Sequence, residues 1–113
     1  MKSKDSSTGN REGYSMNDKK VNVAIQVLPK SSQFGTYELV DKAIEVIQQS
    51  GLKYVVCPFE TVVEGRYDEV MNLLKQVHEA LYSYGAEEII TNLKIQTHQN
   101  QDVLIHDKMN KYE

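Results

Sequence analysis

The residues best suited to chemistry in this 113-residue chain gather between Cys57 and Gly65. Glu64 stands at the end of a β-branched run and directly ahead of Gly65. A carboxylate so placed accepts hydrogen bonds from a protonated or amino-bearing heterocycle, and the hydroxyl of Thr61 can donate or accept beside it. Plainer roles stay open: Glu64 as a solvated strand-end residue or a partner of Arg66 or Lys94, and Thr61 as a simple strand former. Tyr37, Tyr54 and Phe59 can line an aromatic slot, although aromatic residues so spaced usually pack in a core.

Nucleophilic and metal chemistry find less support. Cys57 is the only cysteine. It sits in an apolar run with Lys53 as its one nearby base, whereas a reactive thiolate needs an electropositive setting. His78, His98 and His106 lack the HExxH or paired CxxC spacing that brings metal ligands together. His78 followed by Glu79 has no second histidine on its helix face, so it reads as a helix-surface residue. There is no P-loop and no GxSxG elbow. The expectation is no catalytic residue, no metal and no cofactor.

The net charge of −3, with both signs mixed, argues against a nucleic-acid partner, which rewards a concentrated basic surface. No apolar run reaches the roughly 20 residues needed to span a bilayer, and the polar start has no signal-peptide core. With a single cysteine, these features place the chain in the cytoplasm. Met1 to Lys20 is almost free of apolar residues and is expected to be a disordered or loosely packed leader; Met16 is a candidate native start. Residues 21–113 form the domain.

From Val21 the pattern changes. Val21, Val23, Ile25 and Val27 alternate with Asn22, Ala24, Gln26 and Leu28, the period of a strand with one buried face, which Pro29 should end. A helix capped near Thr36 is predicted to about Gln49, with Tyr37, Val40, Ile44 and Ile47 as its stripe and Gly51 as its left-handed stop. Lys53 to Cys57 and Thr61 to Glu64 read as a hairpin. A second helix from Tyr67 to Tyr84 turns Val70, Leu74, Val77 and Leu81 inward and closes at Gly85. Ile89 to Thr97 is a fourth strand, and a short helix is expected between Asp102 and Tyr112.

This β-α-β-β-α-β order predicts an α+β, ferredoxin-like sandwich, with a four-stranded antiparallel sheet covered by two helices on one face. The other face carries Asn22, Gln26, Asn92, Lys94 and Gln96 among Ala24, Leu28 and Ile90. It must meet solvent, a ligand or another subunit. A domain of this size hides only about two-thirds of its unfolded surface, so a homo-oligomer is expected.

The stretch LKYVVCPFETVVEGRYDEVM, Leu52 to Met71, resembles the central signature of the thiamine-binding protein family. The shared elements are Gly51-Leu52-Lys53-Tyr54, the T-x-V-E-G exit of Thr61, Val63, Glu64 and Gly65, and an acidic helix start before Val70 and Met71. The likeness extends to the first strand, to Lys75, Val77, His78, Glu79 and Ala80, and to Thr91–Ile95, covering about Val21 to Tyr112. It implies a ligand binder and not an enzyme, taking thiamine or its hydroxymethylpyrimidine part in salvage or uptake. It also implies a dimer or dimer of dimers. Glu64 and Thr61 become the leading ligand contacts, with Gln26, Thr91 and Asn92 behind them. Cys57-Pro58-Phe59 departs from relatives with smaller residues at this turn, which bears on the pocket's shape. Two other readings remain: a cofactor-free enzyme of the dimeric α+β barrel kind, and a regulatory module that senses another metabolite.

Overall fold

The computed structural model describes residues 15–16 and 18–112. The expectation for the leader falls largely outside them. The elements run β1 (Lys20–Lys30), α1 (Thr36–Gln49), β2 (Lys53–Val56), β3 (Thr61–Arg66), α2 (Tyr67–Tyr84), β4 (Glu88–Gln96) and α3 (Ile105–Met109). A 3-10 turn over Asn110–Tyr112 follows α3. The sheet order is β2-β3-β1-β4 with every pair antiparallel. This is the ferredoxin-like arrangement that the pattern predicts.

Period-two alternation decides what each face carries. Val21, Val23, Ile25 and Val27 are buried against Leu39, Ala43 and Ile47 of α1 and Val70, Val77 and Leu81 of α2. Val63 of β3 joins them, opposite Val23. Both long helices therefore cover one face. The register leaves Asn22, Ala24, Gln26 and Leu28 on the other face, beside Val62, Glu64 and alternate residues of β4. Among the described residues, no helix is long and apolar enough to cross a membrane.

Five details differ from the sequence expectation. Pro29 does not end β1; it pairs with Ile89 and lies buried. The carbonyl of Lys30 accepts from the Glu87 amide toward β4, so alternation turns the nitrogen of Pro29 toward the opposite side, where β3 no longer runs and no donor is needed. Gly65 does not end β3; it pairs with Val21, and an added Cβ would lie 3.3 Å from both Leu52 and Val70 side-chain carbons. The inward stripe of α1 is Leu39, Ala43 and Ile47, while Tyr37 is 88% exposed. On α2, Leu73 and not Leu74 is fully buried. Gly35, not Thr36, occupies the α1 cap position.

The rotated stripe gives a direct check. Leu39→Ala should lower unfolding free energy by about 2–5 kcal/mol through the cavity it leaves. Tyr37→Ala should change it by no more than about 0.5 kcal/mol. Urea denaturation of both variants measures the difference.

Candidate functional site

β1 is 11 residues long and β3 only six. Pairing between them runs from Lys20↔Arg66 to Ile25↔Thr61 and stops, while β1 continues against β4 as far as Lys30. Beyond Ile25 the sheet therefore has a notch where β3 is missing. Even-numbered residues of β1 direct their peptide groups toward the β4 side, as the Lys30–Glu87 and Lys20–Val103 hydrogen bonds show. Strand alternation then directs the N–H and C=O of Val27 into the notch.

The notch opens into a cavity of about 310 Å³ beneath α1. Ile25 and Val27 form its floor, and Val40, Ala43 and Ile44 its helical wall. Its rim is the turn between β2 and β3, which the Cys57 amide closes by donating to the Glu60 carbonyl at 2.8 Å. Polar side chains in the lining come from Thr36, Glu60 and Thr61, while Gln26 borders the notch as part of β1 with its side chain on the open face. Tyr37 and Phe59 also line it yet remain 88% and 82% exposed, so both rings stand at the mouth. Cys57 is half-buried beside them, its thiol 3.9 Å from the Val55 carbonyl.

The connector from β1 to α1 sets the position of that mouth. The Ser31 hydroxyl accepts from the amides of Gln33 and Phe34 at 3.1 and 3.2 Å. Ser32 donates to Glu87 from both its hydroxyl, at 2.5 Å, and its amide, at 3.1 Å. These bonds hold the Glu87 carboxyl below its ordinary value. Phe34 packs on Tyr84 with ring centroids 4.8 Å apart. The Tyr84 hydroxyl donates to Glu38 at 2.7 Å, and that bond raises the phenol's pKa, with desolvation and the Glu38 and Glu45 charges adding.

Of the five residues singled out from sequence, Thr61 and Gln26 line the notch. Asn92 is tied to Gln26, donating to its side-chain oxygen at 3.0 Å on the open face. Thr91 lies on the helix-covered face, 2.8 Å from His78 Nε2, so His78 is a half-buried partner of the sheet and not a free surface residue.

Glu64 is elsewhere. It pairs with Asn22 on the open face, is 8% exposed, and accepts the Ile105 amide at 2.7 Å. Asn22, 3% exposed, donates to the Val103 carbonyl at 2.9 Å, and its Oδ1 has no hydrogen-bond partner. The Val103 amide returns to the Lys20 carbonyl, and the Lys20 amide donates to Asp102. Together these bonds strap residues 102–105 across the open face. They border a second depression of about 260 Å³ that Lys94, Gln96 and Lys108 also line. Neither the Val27 peptide edge nor Glu60 was a sequence-level candidate. No local sequence signal marks either one, because both depend on where the β1–β3 pairing stops.

The thiamine-binding protein family model matches residues 23–113. The chain belongs to the thiamine-binding protein family. A UPF0045 protein of Clostridium perfringens is 36% identical over 91 residues, 80% of this chain and 95% of its own length. Among solved structures, a Bacillus cereus domain of unknown function superposes with a TM-score of 0.80 at 39% identity, covering 84% of this chain and 91% of its own. A Thermotoga maritima protein provisionally assigned to thiamine biosynthesis or salvage reaches 0.75 at 34% identity, covering 83% and 99%. This member of the thiamine-binding family shares the fold of both across most of their lengths.

Two outcomes follow from the hydrogen bonds. Glu64→Ala strands the buried Ile105 amide, which should cost about 1–3 kcal/mol and speed hydrogen exchange selectively over residues 103–109. Because the Glu87 carboxyl is depressed in the folded state, its contribution to the connector is complete above the ordinary value of 4.5 and is lost as pH falls through the depressed value. The Ser32 amide resonance should report that transition in an NMR titration, and Glu87→Gln should remove it.

Proposed function

We propose that the protein binds thiamine, or its hydroxymethylpyrimidine part, in the notch between β1, α1 and the β2–β3 turn. The observation that carries this reading is the interrupted β1–β3 pairing, which leaves the Val27 peptide edge facing a cavity that Thr61 closes. An aminopyrimidine presents an exocyclic amine beside a ring nitrogen. A peptide C=O and N–H match that pair as acceptor and donor. A volume near 310 Å³ stands at the small end of ligand pockets, mostly apolar with a few polar groups. Tyr37 and Phe59 supply faces for a flat ring to stack on. The family match and the thiamine assignment of the Thermotoga maritima relative support the choice of ligand class.

The role is binding, not turnover. Among the described lining residues, Tyr37, Cys57 and Glu60 are the ones that carry an acidic side chain, and there is no Lys, Arg or His beside them in the lining. The site belongs to a cytoplasmic salvage or uptake system and to a homo-oligomer, a dimer or dimer of dimers. The exposed Leu28, Val55 and Ile90 on the open face support such pairing. Native mass spectrometry reports the subunit number and any retained ligand together.

A second reading puts the ligand under the C-terminal strap, where Glu64 would receive it. The unpartnered Asn22 Oδ1 favours that alternative. Isothermal titration separates the two. In the notch reading, thiamine binds the wild type, Thr61→Val weakens binding about tenfold, and Glu64→Ala leaves it within about twofold. The factor of ten corresponds to one lost hydrogen bond of about 1.4 kcal/mol. The reverse order of effects would move the site to the open face. Absence of heat and of any thermal shift at millimolar ligand would remove both readings, since a bound ligand must raise apparent stability.

A further inference from the structure

We infer that the notch selects unphosphorylated ligands and turns away their phosphate esters, with Glu60 as the specificity-determining residue. The inference rests on the notch being the thiamine-type site and adds the charge state of what enters it.

A phosphate monoester carries about −1.5 to −2 charges at neutral pH and calls for Arg or Lys donors, or an unopposed helix N-terminus. Among the described lining residues there is no Lys, Arg or His, and the one charged side chain is Glu60. Three lysines on the surrounding elements are paired with carboxylates. Lys94 lies 3.8 Å from Glu60, Lys42 lies 3.3 Å from Glu45, and Lys30 lies 3.7 Å from Glu88.

Lys94 is too exposed to cancel Glu60. Its side chain is 81% accessible while that of Glu60 is 30% accessible, so the lysine charge is the better screened of the two. The N-terminus of α1 reaches the mouth through Thr36 and Tyr37 and contributes positive potential there. Glu38 in its first turn opposes that potential, and Glu87 sits across the connector at Ser32. The charge that the described lining itself carries is therefore negative, that of Glu60. It favours a cationic ring or a neutral amine donor and repels an anionic tail.

The test is calorimetric titration of the full-length protein with thiamine and with thiamine monophosphate, repeated with hydroxymethylpyrimidine and its phosphate. The wild type should bind each unphosphorylated compound at least tenfold more tightly than its ester. Added salt should narrow that ratio as the repulsion is screened. Glu60→Gln should reduce the ratio about threefold or more, and Glu60→Lys should reduce it further. Glu60 sits in a turn, and thermal melts confirm that both variants fold. Equal or tighter binding of the esters by the wild type overturns the inference, as does a ratio that neither substitution moves. If neither member of either pair binds, the thiamine-type reading falls first and this one with it, an outcome distinct from binding without discrimination.

Discussion

β1 is hydrogen-bonded on both sides, and its two partners differ in length. β4 follows it for nine residue pairs and β3 for six. Peptide groups left over by such a mismatch must find water, a side chain or a ligand, because buried and unpaired they cost as much as a lost hydrogen bond. The chain meets one part of this demand with Pro29, which has no N–H to satisfy. The other part, at Val27, is left facing a cavity. The notch is thus a by-product of how the sheet is paired, built from backbone before any side chain is considered.

The opposite end of β1 shows the complementary solution. There β4 stops at the Asn22↔Gln96 pair, and the segment around Val103 takes its place beside Lys20. Glu64 and Asn22 face each other on neighbouring strands and spend their polar groups on that segment. A buried carboxylate that accepts a backbone amide is well used structurally, and the arrangement accounts for its burial without any ligand. The same family signature therefore spans two places in the fold. Thr61 and Glu64 are three residues apart on one strand, and an odd separation puts them on opposite faces of the sheet.

That parity was legible in the sequence. Thr-Val-Val-Glu on a strand must send its first and last side chains to different sides, so a single cleft touching both was geometrically disfavoured from the start. The element order, both long helices and the strand-borne core were legible for the same reason: strong periodicity in Val21–Val27 and Val70–Leu81. Periodicity could not resolve α1, where Val40, Ile44 and Ile47 fit one stripe and Leu39, Ala43 and Ile47 another. Packing against Val23 and Ile25 selects the second. The notch and the strap were illegible because both depend on register between segments distant in sequence. No local pattern states where a pairing stops.

The strap has a consequence for folding. The Lys20–Asp102 hydrogen bond joins residues 82 positions apart, and the Asn22–Val103 bond 81. Contacts of such separation carry a large loop-closure cost, which is repaid only when intervening structure has already shortened the gap. Closure of this ring therefore relies on the pairing of β1 with β3 and β4 to bring its two ends together. Because it holds the start of the central strand as well as the tail, loosening at one end of the polypeptide is felt at the other.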